Sequence, residues 1–231
     1  CSIGVASLYV MSSRNLLCVD IGNTNTHIGC CPGTLSDMID WGEVSTQQWL
    51  QSADHLFERI QQKACEQIAY VSVVPSANEI LERVARERGL TCTHLTHRSF
   101  VGLPLDYPHP QEIGEDRLAN ALGAQACYGA PSVVIDLGTA VTFDILNAAG
   151  AYSGGVIAPG VELMTHYLHD QTAQLPLMKE DEFHSEAAFG KSTREAISIG
   201  CVTGFRGMIH ALSIEIDRAL REQSSKEPIW I

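Results

Sequence analysis

The sequence lacks the features that mark membrane proteins and nucleic-acid-binding proteins. No uninterrupted apolar run reaches the roughly 18 residues that a membrane-spanning helix needs. The chain carries 15 lysines and arginines against 27 aspartates and glutamates, and its formal charge of -12 repels a phosphate backbone. We therefore expect neither a membrane nor a nucleic acid as a partner.

The cysteines also lack the spacing of a metal site or a disulfide framework. There are eight of them and no Cys-x-x-Cys pair, which argues against a zinc ribbon. Cys30 and Cys31 are adjacent, and adjacent cysteines bond to each other only with strain, so we interpret them as strand or turn residues. Two His-x-x-His pairs have no further ligands at matching spacing. Reduced thiols in a cytoplasmic protein fit this pattern best.

Short apolar runs alternate with helix-length amphipathic stretches, a pattern typical of an α/β protein. Gly200, Gly204 and Gly207 lie within the last helical stretch. Because glycine is costly inside a helix, we expect close packing or a break there. The predicted strands are Leu16–Asp20, Ile68–Val74, Val133–Asp136 and Tyr152–Ile157, and the predicted helices are Asn78–Arg88, Leu118–Cys127, Val161–Leu168 and Thr193–Leu220.

Two segments repeat the order aspartate, apolar residue, glycine and polar residues directly after a predicted strand. The first is Asp20–Thr26 and the second is Asp136–Thr142. A strand-end carboxylate, a glycine that lets the backbone approach a ligand, and several hydrogen-bond donors can hold Mg²⁺ and cradle phosphates. A polar hairpin of similar composition is the alternative for one copy alone. The recurrence favours phosphate binding by two similar halves, and the loop of P-loop enzymes is absent.

The ordered set of motifs resembles the type III pantothenate kinases, a family of the acetate and sugar kinase, heat-shock and actin superfamily. The resemblance implies an α/β fold with two ribonuclease H-like (actin-like ATPase) halves, residues 14–117 and 118–231, and an active site in the cleft between them. Besides the two phosphate motifs, it rests on Gly114-Glu115-Asp116-Arg117, Gly154–Gly160, Thr172–Pro176 and Gly190–Thr193.

The resemblance implies a role for particular residues. Asp116 would be the general base, with a helix N-cap as the alternative, and Arg117 would hold the substrate carboxylate, with a surface ion pair as the alternative. Asp20 would orient Mg²⁺ on ATP, and Asp136 would bind a monovalent cation, K⁺ or NH₄⁺. The substrate pocket would include Tyr107, Gly114 and Thr193. For Tyr107 and Thr193, simple packing or a helix N-cap is the alternative. The residues that would bind the phosphates are Gly22, Asn23, Thr24, Asn25, Gly138, Thr139 and Thr142.

The implied reaction is ATP-dependent phosphorylation of pantothenate to 4′-phosphopantothenate, the first step of coenzyme A biosynthesis, by a homodimer. The family carries a Thr-Gly-Gly turn after its late strand, whereas this chain ends at Ile231, so we expect a truncated C-terminal end. Met11 is a candidate native start. One alternative is a non-catalytic regulatory protein of the same fold, and another is a different small-molecule kinase of the superfamily. The intact Asp116 and Asp136 favour the enzyme.

Overall fold

The apolar run that begins at Leu16 forms the central strand of a five-stranded sheet in the computed structural model, which describes residues 15–32, 39–51, 65–100, 102–184 and 187–231. Its strand order is β3-β2-β1-β4-β5. Strand β2 is antiparallel to β1 and β3, whereas β4 is parallel to β1 and β5. The strands are β1 (Leu16–Ile21), β2 (Asn25–Cys31), β3 (Ile39–Ser45), β4 (Gln67–Ser72) and β5 (Thr91–His94).

Alternate residues of β1 face two different layers of helices. Leu17, Val19 and Ile21 belong to a buried cluster with α1 (Thr46–Gln51) and α2 (Pro75–Glu87). Leu16 and Cys18 belong to a second cluster with α3 (Glu115–Cys127). Because side chains alternate along a strand, Asp20 lies on the face that α3 covers. The prediction of an α/β arrangement is confirmed by these layers.

A second sheet follows α3 in the described part of the chain. Its strand order is β8-β7-β6-β9. Helix α4 (Val161–Asp170) packs against α5 (Thr193–Gln223) through a small apolar cluster that includes Met178, Ile197 and Cys201. The strands are β6 (Ser132–Leu137), β7 (Ala140–Leu146), β8 (Tyr152–Pro159) and β9 (Ile229–Trp230), and short 3₁₀ turns lie at Pro110–Glu112 and Glu180–Glu182.

The described residues form two compact units. The first contains the chain up to Val134, Asp144–Gly154 and Ile231, and the second contains Ile135–Phe143 and Gly155–Trp230. The boundary predicted between residues 117 and 118 lies inside helix α3. The two predicted halves, and the cleft between them, stay predictions. Residues 1–14, with the candidate start Met11, lie outside the described residues.

Helix α5 corrects one expectation. It continues from Thr193 to Gln223 without a break, and a methyl group added at Gly200, Gly204 or Gly207 would meet nothing within 4 Å. The expected close packing or break at these glycines is therefore wrong. Helix formation is cooperative, so the many good helix formers in this long helix offset the cost of about 1 kcal/mol for each glycine. Ser192 stabilises the first turn by accepting the Glu195 N–H.

Among the described residues, α5 is also the one helix long and apolar enough to cross a membrane, by length and composition alone. This is a weak indication, because core helices of soluble proteins and signal sequences pass the same test. The expected absence of a membrane partner stays a prediction.

Candidate active site

The first predicted phosphate motif is a tight turn between β1 and β2. The Gly22 N–H donates to the Asn25 carbonyl at 3.0 Å, and a Cβ on Gly22 would lie 2.8 Å from that carbonyl oxygen. The turn therefore requires glycine at this position. Asn23 and Thr24 form its exposed tip, and the Asn25 side chain donates to Glu43 at 3.2 Å.

A buried chain of hydrogen bonds supports this turn from α1. The Trp49 indole N–H donates to the Thr26 hydroxyl at 2.8 Å, and the Thr46 hydroxyl donates to the Gly22 carbonyl at 2.7 Å. Because the one hydroxyl proton of Thr46 is used on Gly22, Thr26 is the donor in the 2.9 Å bond between the two hydroxyls. Sequence patterns do not reveal this support, since its members come from separate segments.

Asp20 lies at the carboxyl end of β1, where its side chain is buried. In the parallel pairing it stands beside Val71 of β4. Among the described residues, no three His, Cys, Asp or Glu side chains gather as a metal cluster. A single carboxylate beside a phosphate turn fits Mg²⁺, which is bound through one or two carboxylates together with substrate phosphates.

The predicted base lies in the first turn of α3. Gly114 is the N-cap residue, and Asp116 Oδ1 accepts the Arg117 N–H at 2.8 Å. A Cβ on Gly114 would collide with Asp116 Oδ1, so a larger residue at this position would displace the carboxylate. The alternative that Asp116 is the N-cap is wrong. The positive end of the helix stabilises a carboxylate at this position.

Glu115 attaches this helix turn to the sheet. Its carboxylate accepts the Ser72 N–H at 3.3 Å and lies 2.6 Å from His94 Nε2. The His94 ring stacks on Tyr70, with 4.5 Å between the ring centroids. Ser72 pairs with Ile21 at the carboxyl ends of β4 and β1. The first phosphate turn and the start of α3 therefore lie at the same end of these two strands. The sequence gives no signal for this contact beyond the acidic residue itself.

Arg117 forms a buried cluster that the sequence analysis missed. Its Nε donates to Asp144 Oδ1 at 2.7 Å, and the Tyr152 hydroxyl donates to the same oxygen at 3.1 Å. The guanidinium lies 6.0 Å from the centre of the Tyr152 ring, and the Tyr107 ring centroid lies 6.1 Å from that of Tyr152. The Asp144 side chain is fully buried and that of Arg117 is 13% exposed. The alternative of a surface ion pair for Arg117 is therefore wrong.

Burial dominates the electrostatics of this cluster. It raises the pKa of Asp144 from 3.8 to about 6, and the nearby Asp116 charge acts in the same direction, whereas Arg117 and Tyr152 oppose the shift. Burial and the Asp144 charge also raise the pKa of Tyr152, so its hydroxyl remains a donor. Asp144 Oδ2 is buried and has no hydrogen-bond partner among the described residues.

The second predicted phosphate motif is a turn between β6 and β7. The Gly138 N–H donates to the Ala140 carbonyl at 3.1 Å, and the Gly160 N–H donates to the Thr139 carbonyl at 2.9 Å. A Cβ on Gly160 would lie 2.6 Å from the Thr139 oxygen and still closer to the Gly138 oxygen. Glycine at the start of α4 therefore lets the helix terminus contact the turn.

Three further predicted site residues lie in the second unit. Asp136 is half-buried near the end of β6, and the Thr142 hydroxyl oxygen is buried without a hydrogen-bond partner among the described residues. A buried hydroxyl oxygen without a partner can accept a ligand such as a cation or a phosphate donor. Thr193 is exposed as the first residue of α5, where Ser192 is the N-cap, so the N-cap alternative for Thr193 is wrong.

Comparison with known proteins gives a consistent family match. The family model described as type III pantothenate kinase matches residues 16–214. The protein of that name from Methylacidiphilum infernorum is 38% identical over 209 residues, which cover 89% of this chain and 72% of the relative. The one from Akkermansia muciniphila is 44% identical over 64% of this chain and 60% of its own length.

A further relative and one solved structure complete the comparison. The type III pantothenate kinase of Streptomyces avermitilis is 35% identical over 90% of this chain and 82% of its own. The ADP-bound MreB5 of Spiroplasma citri is 13% identical and covers 92% of this chain and 80% of its own, with a TM-score of 0.45.

Proposed function

Since the chain belongs to the type III pantothenate kinase family, we propose that it transfers the γ-phosphoryl group of ATP to the primary hydroxyl of pantothenate. The single observation that carries this proposal is the family match over residues 16–214. The geometry supports this function, because the first phosphate turn and the start of α3 both lie at the carboxyl ends of β1 and β4. This reaction yields 4′-phosphopantothenate, the first intermediate of coenzyme A biosynthesis.

Asp116 is the proposed general base. Its carboxylate takes the proton of the substrate hydroxyl while that oxygen forms a bond to the γ-phosphorus, and the bond to the β–γ bridging oxygen breaks to release ADP. The N-terminus of α3 places partial positive charge beside this carboxylate. Arg117 is the proposed partner of the pantothenate carboxylate, and Tyr107, Gly114 and Thr193 are proposed to line the substrate pocket.

The two hairpins are the proposed phosphate-binding elements. Gly22, Asn23, Thr24 and Asn25 form the first, and Gly138, Thr139 and Thr142 line the second. Asp20 would hold Mg²⁺, and Asp136 with nearby oxygens would hold K⁺ or NH₄⁺. When bound, these cations supply positive charge that neutralises the phosphates. The chain itself orients the nucleotide through backbone N–H groups and hydroxyls.

We further propose a cytoplasmic homodimer that contacts neither nucleic acid nor membrane. The formal charge of -12 supports the exclusion of nucleic acid. The resemblance of the motifs to those of the family supports the dimer.

The test is ADP release by the purified protein with ATP, Mg²⁺ and pantothenate, first with K⁺ and then with Na⁺ in its place. We expect ADP release that depends on pantothenate and is faster with K⁺, and we expect Asp136→Ala to lose the K⁺ response. Turnover of a sugar or acetate instead of pantothenate would contradict the proposed substrate. Nucleotide binding without any turnover would favour the regulatory alternative, and equal rates with both cations would contradict the proposed K⁺ site.

A further inference from the structure

We propose that Asp144 and Tyr152 are positioning residues that fix the Arg117 guanidinium for recognition of the substrate carboxylate. This inference rests on the proposed function and deepens it. Asp144 lies in β7 and Tyr152 in β8, and neither belongs to the motifs that indicated the family. Both residues lie in the first unit, and both are in contact with Arg117 or with its carboxylate partner.

The first observation is that Arg117 and Tyr152 both donate a hydrogen bond to one oxygen of Asp144. Asp144 Oδ1 receives both the Arg117 Nε–H at 2.7 Å and the Tyr152 O–H at 3.1 Å. Two donors on one carboxylate oxygen fix the plane of the carboxylate, and the carboxylate in turn fixes the plane of the guanidinium. Because Arg117 is bound through Nε, the orientation of its terminal nitrogens is set before substrate binds.

The second observation is that the same tyrosine supports a second pocket residue. The Tyr152 ring lies under the Arg117 guanidinium and beside the Tyr107 ring. Gly154 has a φ of +119°, a backbone conformation that side chains rarely adopt, and a Cβ there would lie 3.7 Å from the Tyr107 ring. Within the first unit, the Tyr152 ring thus lies next to both predicted pocket residues, Arg117 and Tyr107.

The third observation concerns charge. The ionisable groups that act on Asp144 are Arg117 and Asp116 from α3 and Tyr152 from β8, and Tyr107 acts on Tyr152 in turn. Burial raises the pKa of Asp144 to about 6, so this carboxylate loses its charge just below neutral pH. A neutral Asp144 holds Arg117 less strongly. Recognition of an anionic substrate should therefore weaken as the pH falls through about 6.

The test compares steady-state kinetics of Asp144→Asn and the parent protein at about pH 7.5, well above the raised pKa. We expect KM for pantothenate to rise about tenfold or more, while kcat and KM for ATP stay within about twofold, because a charge-assisted hydrogen bond to Arg117 is lost. Tyr152→Phe should raise KM for pantothenate about threefold, because it loses only one neutral donor. In the parent, KM for pantothenate should rise as the pH falls through about 6.

A matched control is available on α5. Arg221 Nε donates to Asp217 Oδ2 at 2.6 Å, which is the same pairing on an exposed surface. Asp217→Asn should leave all kinetic constants unchanged. If Asp144→Asn fails to fold, Tyr152→Phe and the pH profile of the parent decide the question.

The outcomes distinguish a failure of the positioning role from a failure of the proposed kinase function. A KM for pantothenate that does not change in either variant, or with pH in the parent, would overturn the positioning role while parent turnover upholds the proposed function. Equal losses in kcat and in both KM values would point to a merely structural role and overturn it as well. A parent protein without pantothenate turnover would overturn the proposed function and this inference together.

Discussion

At the scale of a single residue, substitution of Asp116 tests the proposed general-base chemistry. Asp116→Asn keeps the size of the side chain and an oxygen that can accept the Arg117 N–H, so the start of α3 should remain folded. A lost general base lowers kcat by about 10² or more. We expect that fall in kcat with KM for ATP unchanged, measured by ADP release. A rate equal to that of the parent would remove Asp116 from the mechanism.

Individual residues also differ in whether their role can be predicted from the sequence. Asp116 and Arg117 lie in a compact local motif, and the resemblance of that motif to the family implies their roles. Asp144 and Tyr152 were missed because their role depends on contacts with Arg117 across 27 and more positions of sequence, and neither stands in a recognisable spacing. Nothing local distinguishes a buried aspartate that positions an arginine from an ordinary polar strand residue.

The contact between a turn and a helix terminus can be tested at the element scale. Gly160→Ala would place a methyl group within 3 Å of two carbonyl oxygens of the turn between β6 and β7. Overpacking of this kind costs about 1–3 kcal/mol, so the turn should shift and the melting temperature should fall. We expect KM for ATP to rise as well, because the proposed phosphate turn moves.

Gly204→Ala in α5 is the matched control for this substitution. Its methyl group would meet nothing within 4 Å, and alanine favours a helix over glycine by about 1 kcal/mol. We expect a higher melting temperature and an unchanged KM for ATP. Similar effects of the two substitutions, measured by thermal unfolding and ATP kinetics, would mean that the close approach at Gly160 does not constrain the turn.

Secondary structure was the most predictable level of this protein. Every predicted strand and helix named above is confirmed, with ends displaced by no more than one helical turn, because period and breaker residues are local signals. The interpretation of the α5 glycines failed for a different reason. Whether a glycine meets a neighbour is decided by tertiary packing, which local spacing does not encode.

At the scale of the whole molecule, the predicted α/β class agrees with the two sheets of the described residues and with the family match. The two actin-like halves, which the resemblance to the family implies, stay a prediction. The bounds of the two compact units are not accessible from sequence, because the residues that form each unit are not contiguous.

The buried Asp144 also predicts how the stability of the protein depends on pH. Its pKa rises from 3.8 to about 6 on folding, which corresponds to about 3 kcal/mol. Between these values the folded protein holds a proton that the unfolded chain has released. The contribution of Asp144 to stability is therefore fully present below about pH 4 and is lost as the pH rises through about 6.

Asp144→Asn removes this titration, so the variant should gain stability relative to the parent as the pH is raised from about 4 to about 7, by up to about 3 kcal/mol. Urea unfolding of both proteins across this range measures the difference, and Asp217→Asn should show no such trend. A stability difference that is constant with pH would mean that Asp144 keeps one protonation state throughout. A variant that gains stability relative to the parent as the pH rises, but binds pantothenate more weakly, would show that the Asp144 charge costs stability near neutral pH while it supports recognition.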